Sequence, residues 1–291
     1  MTLVEKKPAA STERRLLPQF GLPGSISPSL LFGSGGIGLI AAIAIVGPAI
    51  WQVNPLLLGP NVFQPPSLIY PMGTDDLGRD VLARVIQGAR VSLTIGFLSA
   101  LVAAFTGVVM GAVAGYAGGT TDEILMRITE VFQVIPRFLL AIVVVALFGA
   151  SQLNVILVIG LLSWTATARI VRARFLVLRN EEFVQAAIMS GARPVRVIVR
   201  HILPNVVPYI IVSVFLQMGA AILVESFLSF IGLGDPARPS WGMLLQQAQL
   251  YLQSAWWMSA FPGLALSVTI FSLNLLGDSL SGASVERTSR R

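Results

Sequence analysis

Few side chains in this sequence could do chemistry, and they fall in three places. Asp75, Asp76 and Asp80 crowd together around Arg79. Three close carboxylates suggest a cation. Calcium loops, however, want more oxygen ligands at fixed spacing, and Arg79 competes as an ion-pair partner. A structured loop is the favoured reading. The second place is Glu225, the only acidic residue deep in an apolar run. An ionisable residue inside a bilayer is a functional candidate by default, with a helix-packing hydrogen bond as the plainer reading. The third is residues 181–208, EEFVQAAIMSGARPVRVIVRHILPNVVP. It holds the single histidine, His201, which excludes a multi-histidine metal site and is expected to pack or cap. With no cysteine there is no disulfide, thiolate nucleophile or zinc–thiolate site.

The elements around these residues belong in a membrane. Of 291 residues, 55% are hydrophobic and 12% charged, about half the charge of a soluble domain. Mean hydropathy is +0.79. Disorder, a fibrous protein and a typical cytosolic enzyme are excluded. Residues 1–28 are polar and proline-broken, and read as a flexible tail. The apolar stretch 30–51 is too long for the core of a signal peptide and lacks a clear cleavage site, so it is expected to stay as a first span. A proline-rich loop at 52–90 follows, then a second span at about 91–116. The third and fourth spans share residues 124–170. The uncharged part, 138–168, is 31 residues, and two spans need roughly 40. The third helix must therefore start earlier and carry Arg127 and Glu130, an i,i+3 pair, near its end. A fifth span is predicted at about 205–233 and a sixth at 256–278. The fold expected is an all-α integral membrane protein of six transmembrane helices. The six-span body covers 29–280 and a polar tail 281–291. Gly107, Gly111 and Gly115 share one face of the second span and allow close helix approach, to a neighbour in this chain or in another.

Arginine placement gives the orientation. The N-terminal tail, the connection holding Arg127 and Arg137, the stretch 169–204 and the C-terminal tail together hold 16 of the 20 basic residues. The opposite loops hold Arg79, Arg84, Arg90 and Arg238. The positive-inside rule puts both termini and the 171–204 loop in the cytoplasm. The net charge of +6 is thus a topology signal, and no nucleic-acid partner is expected. Within 181–208, Glu181 and Glu182 open one short helix, where the dipole favours them. Gly191 suits its C-cap, and Pro194 the first turn of a second helix. Arg193, Arg196 and Arg200 then share one face, and Val195, Ile198 and Ile202 another. This helix–turn–helix presents Ala186 and Ala187 at a tip small enough for close packing. The plainer alternative is a basic loop lying on anionic headgroups of membrane lipid.

QAA-x3-G-x9-H-I-L-P in this segment resembles the cytoplasmic EAA loop of bacterial ABC importer permeases, and its HILPN ending resembles the dipeptide/oligopeptide/nickel branch. MGTDDLGRDVLARVIQGARVSL at 72–93, ILVESFLSFIGLGDPARPSWGMLL at 222–245 and LLGDSL at 275–280 resemble further segments of that branch, in order. The resemblance is to its second, C-type, permease. It implies the type I importer permease (MetI-like) fold in the bacterial inner membrane, with a coupling helix in the 171–204 loop. It implies that Glu181, Glu182, Gln185, Ala186, Ala187, Gly191, His201, Leu203 and Pro204 dock on an ATPase. It implies two ATP-binding subunits, a homologous second permease and a periplasmic or lipoprotein solute-binding protein. Asp75, Asp76, Arg79 and Asp80 then form a periplasmic loop touching the binding protein or the second permease, and Glu225 becomes a candidate for translocation or gating. The solute implied is a short peptide, with nickel complexes, glutathione-like or sugar-derived solutes as alternatives. There are two departures: Gln185 stands where the motif has glutamate, a charge that Glu181 or Glu182 could supply, and the tail LSGASVERTSRR lacks the branch's L-R-D-x-L-D-P stretch.

The residues agree that the motor lies elsewhere. A P-loop needs G-x4-G-K-[ST], and the only lysines are Lys6 and Lys7 in the tail. No cofactor is expected on this chain, and ATP and Mg belong to partner subunits. A self-sufficient secondary transporter or channel predicts ionisable relays and broken helices at mid-membrane, for which the sequence offers mainly Glu225. An intramembrane enzyme would be limited to Ser, Asp or Glu chemistry, and no paired carboxylates occur within the spans.

Overall fold

The computed structural model describes residues 28–289, with side chains to 281. The N-terminal tail lies outside the described residues. Ten α-helices follow one another: α1 Pro28–Ile50, α2 Val81–Ala117, α3 Gly119–Val134, α4 Arg137–Phe148, α5 Gln152–Arg179, α6 Glu182–Met189, α7 Pro194–Val197, α8 Leu203–Leu228, α9 Trp241–Ala248 and α10 Trp257–Ser289. No strand occurs among the described residues. Five helical stretches are long and apolar enough to cross a membrane: α1, α2, α5, Pro194–Leu233 and α10. The pair α3 and α4 makes a sixth crossing only as one broken span, bent by 80°.

That break replaces the continuous third helix expected from sequence. Pro136 is its cause, because its ring disfavours helical backbone at the residue before it. Ile135 accordingly turns extended (φ −73°, ψ 126°), and Pro136 becomes the N-cap of α4. Arg137, assigned above to a connecting loop, stands at the break. Arg127 and Glu130 do pair, at 3.0 Å, on the exposed face of α3.

The second helix also begins ten residues earlier than expected, so Arg84 and Arg90 are helical rather than in the loop. Asp80 starts it, accepting the Ala83 N–H at 2.8 Å. α5 likewise carries the fourth span on to Arg179, so the connecting loop is shorter than 171–204. α10 continues through the predicted tail as far as Ser289.

α2 is the central post. Its glycine face meets α5 of the same chain. A Cβ on Gly107 would lie 2.6 Å from Thr167 Cβ, and one on Gly115 would lie 2.6 Å from Phe175 Cβ. Gly111 sits against the Ala168 carbonyl. Without side chains in the seam, the two backbones approach closely and gain dispersion contacts that lipid cannot supply. α8 packs on α2 and α5, and α1 and α10 lean on each other at the edge. Between α7 and α8 the helix widens into a π turn, Ile198–Ile202. Pro204 lacks an N–H and would clash with the carbonyl four residues back, so the backbone opens there.

Candidate coupling tip and outer clamp

At the Arg-rich end of the bundle, α6 and α7 form the helix–turn–helix. Gly191 has φ +80°, a conformation that side chains with a Cβ rarely adopt, and its N–H reaches the Ile188 carbonyl at 2.9 Å. The pair is pinned by apolar anchors: Val184, Val197, Ile202 and Val206 are buried against Val171 and Phe175 of α5. What remains outside is mostly apolar or small. Phe183, Ala186, Met189, Val195 and Val199 are exposed, Met189 by 88% and Val195 by 72%. Glu181 and Glu182 are exposed at the start of α6, while Ala187 is half-buried. Gln185, the departure from the motif, has a local function: its amide donates to the Arg179 carbonyl at 2.8 Å, tying α6 to the end of α5. A carboxylate could not make that bond. His201 is half-buried inside the π turn, and Asn205 donates to its carbonyl at 2.7 Å. Leu203 is half-buried and Pro204 exposed.

The arginines of this end divide into two sets. Those on α5 are engaged. Arg172 grips Asp122 of α3, with Nη2 at 2.6 Å, Arg179 donates to the Tyr116 carbonyl at 2.6 Å, and Arg174 lies 3.8 Å over the Tyr209 ring. Arg193, Arg196 and Arg200 are exposed and have no ion pair among the described residues. The positive charge read as one block from sequence is thus half scaffold and half free surface.

At the opposite end, residues 51–80 fold over the start of α2. Asp75 is 1% exposed and fully used. Its Oδ1 accepts the N–H groups of Leu77 and Arg79, each at 2.9 Å. Its Oδ2 accepts Arg79 Nε at 2.7 Å and the Arg84 guanidinium. Arg84 reaches on to Gln247 of α9 at 2.7 Å. Asp76 lies 3.6 Å from Arg79. Burial pushes the Asp80 carboxyl above the ordinary aspartate range, against the pull of the Ala83 N–H. No group of three metal-binding side chains occurs among the described residues; Asp75 and Asp76 face guanidiniums, and Asp80 caps α2.

Glu225 is 2% exposed at the junction of α2, α8 and α9. Ser229 donates to it at 2.7 Å, and Ser92 and Ser226 stand at 3.4 Å. The Ser92 hydroxyl also accepts the Trp241 N–H at 3.3 Å, and the fully buried Trp241 ring donates to the Val85 carbonyl at 3.0 Å. Gly242 makes this docking possible, since a Cβ there would lie 2.8 Å from the Ser226 carbonyl carbon. The serines and the Trp241–Gly242 pair went unnoticed as site residues in the sequence. Only the run S-W-G, small beside large, hinted at a helix lodged against another.

A bundle of membrane-length apolar helices, with an exposed apolar tip at one end and an ion-paired clamp at the other, is a polytopic membrane protein. Residues 107–290 match the family of inner membrane components of binding-protein-dependent transport systems. The chain belongs to that family. It is 42% identical over 221 residues to the dipeptide transport system permease protein DppC of Bacillus subtilis, covering 75% of this chain and 69% of that one. It is 40% identical over 212 residues to the oligopeptide transport system permease protein OppC of Haemophilus influenzae, covering 72% and 68%. It is 41% identical over 266 residues, 91% of each chain, to the probable peptide ABC transporter permease protein y4tQ of Sinorhizobium fredii.

Proposed function

We propose that this chain is one of two transmembrane subunits of an importer for short peptides. A homologous permease forms the other half of the path. Two cytosolic ATPase subunits carry the ATP and Mg, and a solute-binding protein delivers the solute to the outer face. The Arg-rich end and both termini face the cytoplasm. The relatives' printed roles support the solute class, with nickel complexes or other small solutes as the second choice.

One observation carries the coupling role. α6 exposes an apolar, small-residue surface in water, at Phe183, Ala186 and Met189, although its own anchor Val184 is fully buried. An amphipathic helix held rigidly with its second apolar face unfilled fits a groove on another protein. ATP-driven closure of the ATPases would move α6, and the Arg172–Asp122 and Arg179–Tyr116 ties would carry that motion into α5, α3 and α2. The test is reconstitution. The chain with its second permease, ATPases and binding protein should take up peptide only with ATP. Uptake by this chain alone, driven by an ion gradient, refutes the reading.

A further inference from the structure

As one broken span, α3 and α4 place their break between two packed levels of the bundle. On one side of it Phe132 packs edge-on against Trp164 of α5, with ring centroids 5.7 Å apart. Trp164 stands five residues inside Arg169, the first charge on that helix. On the other side Phe138 packs against Phe227, at 4.4 Å, near the far end of α8. Residues 134–137 lie between these two levels. Non-helical backbone does not occur against lipid at that depth, since its polar groups have no partner there. It is tolerated only inside protein or beside water. Yet Val134 is 81% exposed, and Pro136 and Arg137 are exposed with it.

Arg137 sharpens the contradiction. It is a cation at the bend of that broken span, and among the described residues no ion pair holds it. Intramembrane charges face a bundle interior or a water-filled cavity. The helix row agrees. Ala141 and Val145, one and two turns further on, are 1% and 0% exposed, within the core shared by α2, α4, α5 and α8. The exposed row of α4 is a different one, Leu139, Val143 and Leu147. Arg137 therefore stands on the inward row of α4, at the point where that row opens.

We infer that the α3–α4 elbow lines the water-filled path of the assembled transporter, and that Arg137 offers its guanidinium to the carboxylate end of the passing solute. This rests on the peptide reading, because every unmodified short peptide ends in a carboxylate. Arginine binds carboxylates through a planar fork of donors. A single cation with no ion pair among the described residues suits a solute that must leave again.

The chain has no cysteine, so label on its own band reports the single cysteine introduced. In proteoliposomes holding the complete transporter and its binding protein, Val134→Cys and Arg137→Cys should react with the impermeant anionic reagent sulfonatoethyl methanethiosulfonate. Phe105→Cys and Leu147→Cys, on lipid-facing rows, should not. Elbow cysteines that react only with a lipid-soluble maleimide, or with neither reagent, overturn the path assignment. Uptake of labelled dialanine or pentaalanine should fall at least tenfold in Arg137→Gln and be largely kept in Arg137→Lys. Equal losses in both, or no loss in Arg137→Gln, overturn the carboxylate contact. Wild type that takes up neither peptide refutes the peptide reading and the carboxylate partner with it, while the labelling still decides whether the elbow is wet.

Discussion

Replacing Asp75 by Asn should release the outer clamp. Among the described residues the carboxylate is the only anion contacting both Arg79 and Arg84, whose side chains are 12% and 4% exposed. Asparagine keeps the size but removes the charge. Its amide also puts hydrogens toward guanidiniums that can only donate. Each charged hydrogen bond is worth about 1.5–3 kcal/mol. Stranding a buried charge by removing its partner costs about 3–5 kcal/mol. The second figure governs, because Gln247 accepts from Arg84 but carries no charge. At about 1.4 kcal/mol per factor of ten, local opening should become roughly a hundredfold to several thousandfold more frequent. The assay is hydrogen exchange in detergent or nanodiscs. Amides of Leu77, Arg79 and Ala83, held by Asp75 and Asp80, should lose protection by that factor, while the α2–α5 seam stays protected. Adding Arg84→Met should recover part of the loss, since the stranded cation is then gone. Unchanged protection in the single variant, or additive losses in the double one, would refute the clamp. A chelator should change nothing in the wild type.

Other perturbations follow from the same geometry. Gly107→Ala puts a Cβ at 2.6–2.7 Å from Thr167 and the Trp164 carbonyl, where about 3.5–4.0 Å is comfortable. It should destabilise the bundle by about 1–3 kcal/mol, read as a lower thermal midpoint in detergent. A Cβ on Gly191 meets no atom within 4 Å, so the φ of +80° is the main resistance to Gly191→Val, at about 1–2 kcal/mol. Membrane insertion should persist while transport-coupled ATP hydrolysis falls, and unchanged coupling would remove the docking role of α6. Glu225→Gln retains an acceptor for Ser229 and should keep the fold and most transport, whereas Glu225→Ala leaves buried hydroxyls unpaired and should lose about 1–3 kcal/mol. Loss of transport in a well-folded Glu225→Gln would show instead that the charge itself is used.

The α6–α7 helix–turn–helix was legible because its signals are local. Gly191, Pro194 and the paired glutamates specify caps and first turns whatever the rest of the chain does. Spans 1, 2, 5 and 6 were legible because about 20 apolar residues in a row have one stable place, a membrane. The third span was not. Pro136 is visible in the sequence, but a proline can kink, cap or end a helix, and the choice depends on what Phe132 and Phe138 find to pack on. The start of α2 was misplaced for a related reason. Arg84 reads as a loop residue by charge, and becomes acceptable in a buried helix only once Asp75 is folded beside it.

By itself the sequence determined the environment and the periodic parts: a membrane chain, its charge asymmetry and a two-helix tip. Composition and spacing along one helix suffice for those, since each is set by neighbours a few residues away. Tertiary structure alone decided which charges are spent and which are free. Arg172 and Arg179 hold the scaffold, Asp75 is consumed by two arginines, Glu225 is sheltered by serines of α2 and of the end of α8, and Arg137 is left exposed at the α3–α4 break. The partners of those groups lie up to 133 residues apart in sequence, as Ser92 and Glu225 do, and no local pattern records such distances.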